Sequence, residues 1–137
     1  MVATGKYLVS IAACAECHTQ AEKGQIIAEK MFSGGREFAL PGGLLISPNI
    51  TPDKETGMGN LPKEAFNARF KAYADSSYKP YKVGPTDFQT IMPWTMYGGM
   101  SEHDLGAIYT YLMSLKPIKN AVPEKFKPNA KTVAIRW

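Results

Sequence analysis

Cys14-Ala15-Glu16-Cys17-His18 holds both cysteines of the chain and one of its two histidines. Residues three apart on a helical turn share a side, so the two thiols reach one edge of the same flat group. Addition of each thiol across a vinyl group of haem makes two thioethers, and the histidine that follows offers a ring nitrogen to the iron. C-x-x-C-H is the spacing of such an attachment. Other uses of a C-x-x-C pair fit less well. A disulfide needs only an oxidising compartment. A thioredoxin-like dithiol wants a βαβ setting that the sequence lacks. A structural zinc site wants about four ligands, and two Cys and two His supply them poorly. The expected cofactor is one covalent haem c, with iron as its metal.

A second axial ligand would fill the iron's sixth position, and a methionine thioether there raises the reduction potential. Met92, Met96 and Met100 precede the last strong helical pattern. Met100 stands just before Ser101, where a hydrophobic residue packs back on the helix, here on Leu105. Met96 lies beside Tyr97 and Gly98. Pro93 biases Met92 toward extended backbone and removes an N–H, which suits a rigidly presented thioether. Residue types alone leave all three open.

The elements that would carry these groups follow from periodicity. Tyr7, Leu8, Ile11 and Ala12 predict a helix over 3–17 ending at the motif. A short helix over 21–30 is weaker. Phe38–Leu40 and Leu44–Ile46 flank Pro41-Gly42-Gly43, a hairpin pattern. Residues 61–74 predict an amphipathic helix with Pro62 in its first turn, and residues 75–100 a long loop. Ser101, with Asp104 three residues on, starts a helix whose stripe is Leu105, Ile108, Tyr109, Leu112 and Leu115; Pro117 stops it.

The 137 residues suit a single core. Residues 1–115 hold 10 Lys and Arg against 11 Asp and Glu; residues 116–137 hold 6 against 1. The basic balance therefore belongs to the end of the chain, and no basic face interleaved with aromatics points to nucleic acid. No apolar run is long enough to cross a bilayer. Residues 1–6 lack the basic and apolar regions of a signal peptide. Because haem is joined to such motifs outside the cytoplasmic membrane, the expectation is a periplasmic or otherwise exported protein in mature form, with Met1 a start added for expression.

The ordered set resembles the class I cytochromes c: a first helix ending in Cys14-Ala15-Glu16-Cys17-His18, a Met92-Pro93 loop, and a last helix reading Asp104-Leu105-Gly106-Ala107-Ile108-Tyr109-Thr110-Tyr111-Leu112. Ser47-Pro48-Asn49-Ile50-Thr51-Pro52-Asp53, Thr56-Gly57-Met58-Gly59-Asn60 and Met92-Pro93-Trp94 resemble more narrowly the cytochrome c subunits of bacterial membrane-bound alcohol, aldehyde and sugar-acid dehydrogenases. Those subunits usually hold several haem modules, and this chain has one motif. The resemblance implies an all-α fold packed around one haem, with a small β-hairpin insertion and an irregular C-terminal tail: a cytochrome domain over 1–116 and a basic tail over 117–137. It implies that the first and last helices cross near Gly5 and the Tyr109–Leu112 face. It also implies that Met92 is the distal ligand, and that a proline carbonyl, from Pro41 or Pro48, orients His18. Arg36, Asn49, Thr51 and Trp94 are the candidates for contact with the haem propionates.

The expected function is electron transfer rather than catalysis. The chain would carry one haem c with His18 and Met92 as axial ligands, between a periplasmic dehydrogenase or other respiratory donor and an acceptor cytochrome or oxidase. The rival is a haem-based small-ligand sensor or peroxidase-like enzyme with a displaceable distal ligand. For that role the only spare histidine is His103, on the polar side of the last helix.

Overall fold

The structure is a computed structural model, and it describes residues 1–80 and 82–129. Five helices run in chain order: α1 (Val2–Ile11), α2 (Cys14–His18), α3 (Lys63–Lys71), α4 (Trp94–Gly98) and α5 (Glu102–Met113). The core gathers Val9 of α1, Phe32, Met58, Phe66 and Phe70 of α3, and Leu105, Ile108 and Leu112 of α5. Phe66 and Phe70 are one helical turn apart and their rings lie 5.1 Å apart at a tilt of 57°, the i, i+4 contact that the helical period imposes. Ser101 caps α5, its hydroxyl accepting from Asp104 N at 3.0 Å, which satisfies one of the amides a helix start leaves open.

Helices α1 and α5 cross at Gly5. A Cβ there would stand 2.0 Å from the Ala107 carbonyl oxygen and 2.6 Å from Tyr111 Cβ. The residue is therefore glycine for closeness of approach, the use the family resemblance assigned to it.

The expectation of an all-α protein is wrong. The described residues hold two antiparallel sheets with five strands. β1 (Ala21–Glu22) and β2 (Gln25–Ile26) pair where a short helix was expected. Lys23 and Gly24, at φ +52° and +81°, supply the two positive dihedrals of a tight two-residue hairpin. That turn ends any helix, and only a single turn of 3₁₀ helix follows at Ala28–Lys30. β3 (Glu37–Leu40) and β4 (Gly43–Ile46) form the second hairpin, with Leu40 opposite Gly43.

The expected irregular tail also holds a strand among its described residues. β5 (Phe126–Pro128) adds to the free edge of β4, pairing Leu45 with Phe126 and Gly43 with Pro128. An unpaired strand edge is a row of open backbone donors and acceptors, and residues 126–128 fill it despite having no strand periodicity. Lys131 and Arg136 of the basic tail lie outside the described residues.

Two helix boundaries also move. The expected single helix over 3–17 is two, broken at Ala12 and Ala13. The expected loop over 75–100 contains α4, which starts just after Pro93.

Gly5→Ala tests the helix crossing. In an open helix the change would gain up to about 1 kcal/mol of propensity, but here the methyl meets backbone. A net loss of about 2 kcal/mol is expected, read by urea or thermal unfolding. A gain in stability would mean that α1 and α5 separate freely.

Candidate haem-attachment site

The motif sits on α2, a five-residue helix set at an angle to α1 by Ala13. That residue has φ +59° and ψ +35°, a left-handed conformation costing a non-glycine residue about 1–2 kcal/mol. The break frees the Ala12 carbonyl from helical bonding, since Glu16 N donates to Ala13 instead. Tyr97 of α4 takes up that carbonyl, its hydroxyl donating to Ala12 O at 2.6 Å. One phenol thus ties the start of the motif to the segment carrying Met92. Burial pushes the Tyr97 phenol above its ordinary range, so it stays a donor.

Both thiols are free and half-buried. Burial pushes the Cys14 thiol up to about 11, which keeps it protonated at neutral pH. His18 is 8% exposed. Its Nδ1 donates to the Pro48 carbonyl at 2.9 Å. Burial lowers its pKa, and the bond to Pro48 opposes that only in part. The ring is therefore neutral, with the proton on Nδ1 and the lone pair on Nε2. Two free thiols three residues apart and an imidazole locked in the metal-binding tautomer fit a covalent haem.

The Pro48 carbonyl is held from behind. Residues 32–36 run between the end of α2 and the segment 46–50. Gly34 N donates to His18 O at 2.7 Å, Gly35 N to Ser47 O at 2.7 Å, and Ile50 N to Phe32 O at 2.9 Å. Gly34 has φ +72°, and a Cβ there would fall 2.4 Å from the Pro48 oxygen. Only glycine lets this strip pass. On its other side, Phe32 N donates to the buried Thr19 hydroxyl at 2.9 Å.

The remaining candidates divide. Arg36 is half-buried; its Nη1 donates to the Glu16 carbonyl inside the motif at 2.5 Å, and its guanidinium lies over the Phe38 ring. Asn49 and Thr51 are buried and bond each other, Thr51 N and Oγ1 donating to Asn49 Oδ1 at 2.9 and 2.7 Å. Asn49 Nδ2 donates to Ile118 O at 2.8 Å. These two side chains are thus engaged with the end of the chain. Pro41 is exposed in the hairpin turn, and its carbonyl accepts from Asn129 Nδ2. Trp94 stacks on Tyr73 at 5.3 Å and 15° and tilts against Phe70. It borders a cleft of about 550 Å³ that is also lined by Arg69 and Lys125.

Among the methionines, Met92 is half-buried and packs on the same core cluster as Cys14 and Ala15. Met100 also packs there, while Met96 is 76% exposed. His103 is exposed beside Asp104.

A family model described as Cytochrome c matches residues 2–116. The chain belongs to the cytochrome c family. Cys14, Cys17 and His18 are its haem c-binding motif, and the family's work is electron transport on haem iron. Similar proteins include the fructose dehydrogenase cytochrome subunit of Gluconobacter japonicus, 30% identical over 93% of this chain and 24% of that protein. The gluconate 2-dehydrogenase cytochrome c subunit of Pantoea cypripedii is 31% identical over the whole chain and 28% of that protein. The alcohol dehydrogenase (quinone) cytochrome c subunit of Gluconobacter oxydans (strain 621H) is 29% identical over the whole chain and 26% of that protein. The chain thus spans about a quarter of the length of these curated relatives. No helix among the described residues is long and apolar enough to cross a membrane.

Sequence reasoning missed Gly34, Ala13, Tyr97 and Asn120. The Gly34-Gly35 pair was a signal for backbone of unusual shape. Nothing local marks Tyr97 or Asn120, whose partners lie 85 and 87 residues away.

Replacing Cys14 and Cys17 together by Ala should leave haem that acidic acetone extracts, whereas the unmodified protein keeps its haem. Equal extraction from both would refute thioether attachment.

Proposed function

We propose that this chain is an electron-carrying haem c module, with His18 Nε2 and the Met92 thioether as axial ligands, passing electrons from a dehydrogenase to a downstream cytochrome or oxidase outside the cytoplasmic membrane. The observation that carries it is the buried His18 ring, held by Pro48 with Nε2 left as the lone-pair nitrogen. The Nδ1 bond fixes ring orientation and raises ligand basicity. A second ligand that is always in place suits electron transfer, because the iron then changes charge without changing partners.

Met92 is preferred to the other methionines on exposure and anchoring. Its amide donates to Thr90 Oγ1 at 3.1 Å and its carbonyl accepts from Trp94 N at 2.8 Å, so its backbone is held on both sides. The Met96 side chain is in solvent. The Met100 carbonyl is held by Lys71 Nζ at 2.7 Å, and its side chain packs on the core, the part of a hydrophobic staple. The haem supplies the one-electron couple; the chain supplies burial, orientation and a second ligand.

The dehydrogenase partner is inferred from the relatives, which are named as cytochrome subunits of fructose, alcohol and gluconate dehydrogenases. In this role the chain itself turns over no substrate. The sensor or peroxidase reading needs a vacant or easily vacated sixth site, and His103 gives it no support.

Met92→Ala should shift the iron toward high spin, lower the potential and let carbon monoxide bind the reduced protein at neutral pH. Met100→Ala should leave the visible spectrum alone and lower only the melting temperature. A changed spectrum in the second variant and an unchanged one in the first would reassign the ligand. Carbon monoxide binding by the unmodified protein would favour the sensor reading.

A further inference from the structure

The carbonyl that orients His18 lies against the backbone of Gly34 and belongs to the peptide shared with Asn49, and both neighbours are bonded by residues 118–120. On one side lies Ser33-Gly34, in contact with Pro48. Asn120 Nδ2 donates to Ser33 O at 2.9 Å and reaches Gly34 O at 3.4 Å. On the other side lies Asn49, the residue after Pro48, whose Nδ2 donates to Ile118 O at 2.8 Å and approaches Asn120 O at 3.3 Å. Asn120 N donates to Thr56 Oγ1 at 3.0 Å, and Ile118 N to Thr51 Oγ1 at 3.2 Å. Thr56 is held in turn by Asp53, whose Oδ2 accepts from Thr56 N and Oγ1 at 2.8 and 2.6 Å. The same strap continues through Lys125 O, which accepts from Ile46 N, into β5.

We propose that Asn120 is a positioning residue for the haem ligand: its amide presses Ser33-Gly34 onto Pro48 and so sets the strength of the His18 Nδ1–H···O bond. Each member of this chain of contacts is backbone or a short amide arm, so little slack is available to absorb a loss. Gly34 has no side chain with which to hold Pro48 by itself; only its peptide and the bonds on that peptide keep it in place. Loss of the Asn120 donor leaves the Ser33 carbonyl without that partner and lets the strip move off Pro48. The Nδ1–H bond then lengthens, the imidazole donates less to the iron, and the ferrous state gains relative to the ferric. Residues 118–120 thereby become part of the redox site.

This inference rests on His18 being an iron ligand, as proposed above. Its test uses the haem-loaded full chain, with Asn120→Ala, the conservative Asn120→Gln, and Asn129→Ala as a control. Asn129 lies on the same strap, but among the described residues its side chain bonds the distant Pro41 carbonyl. Two readouts are taken: hydrogen exchange of the His18 Nδ1–H by NMR in the ferrous protein, and the midpoint potential. Asn120→Ala should speed exchange at least tenfold and raise the potential; Asn120→Gln, with its donor on a longer arm, should move both in the same direction by less. Asn129→Ala should move neither. A lower melting temperature in Asn120→Ala with unchanged exchange and potential would make Asn120 merely structural and overturn the proposal. If Asn120→Ala does not fold with haem, Asn120→Gln decides by the same two readouts. A spectrum without histidine ligation in the unmodified protein would instead sink the ligand reading itself.

Discussion

One hydrogen bond organises the proximal half of this molecule, that from His18 Nδ1 to the Pro48 carbonyl. Its net contribution to stability is of the order of 1 kcal/mol, but it selects the tautomer and the ring angle of a buried imidazole. A proline carbonyl suits the task. Proline carries no N–H, so the peptide before it brings no donor of its own, and its Ser47 oxygen is taken up by Gly35 N at 2.7 Å. Such a carbonyl must still be held in place by what lies behind it. Here the backing is main chain, the strip 32–36, and main chain approaches that closely only where a Cβ is missing. Gly34 follows from that requirement.

The other half of the molecule solves a different problem, that of aiming the motif. Helix α1 must lie against α5 to bury Val9 and Leu105, and Gly5 sets how near it comes. Had α1 continued unbroken, the direction of the two cysteines would have been dictated by that crossing. The left-handed Ala13 separates the two demands. Its strain is offset where the break leaves a carbonyl open, since Tyr97 bonds it from the segment that follows Met92. The attachment motif and the segment that carries Met92 are thus joined by a single phenol as well as by the core.

The buried Asn49 and Thr51, with the half-buried Asp53 and Thr56 beside them, form a polar cluster that receives residues 118–120. Such a cluster is stable only if its members are mutually satisfied, and the bonds from Asn49 and Thr51 to each other and to Ile118 accomplish this. Asn120, at the far end, then couples the cluster to Ser33 and Gly34.

Cys14, Cys17 and His18 were legible because their chemistry depends on spacing within one turn, and a turn is local. The α5 helix was legible for the same reason, since Ser101, Asp104 and the Leu105, Ile108 and Leu112 stripe act within four residues of one another. The β3–β4 hairpin followed from Pro41-Gly42. The weak helical pattern of 21–30 gave way to the β1–β2 hairpin because Lys23 and Gly24 take positive φ, and the all-α expectation, carried by the family resemblance, made no room for either sheet. Other features could not have been read along the chain. The break at Ala13 falls at alanines, good helix formers, and is supported from residue 97. The strand at 126–128 has no alternation of its own and exists because β4 offers an edge. The choice of Pro48 over Pro41 turns on which carbonyl three-dimensional packing brings to residue 18. Sequence determines what a residue can bond within a turn or a hairpin; partners 30 to 90 positions apart meet only when the core has closed, because until then the entropy of the intervening chain keeps them apart.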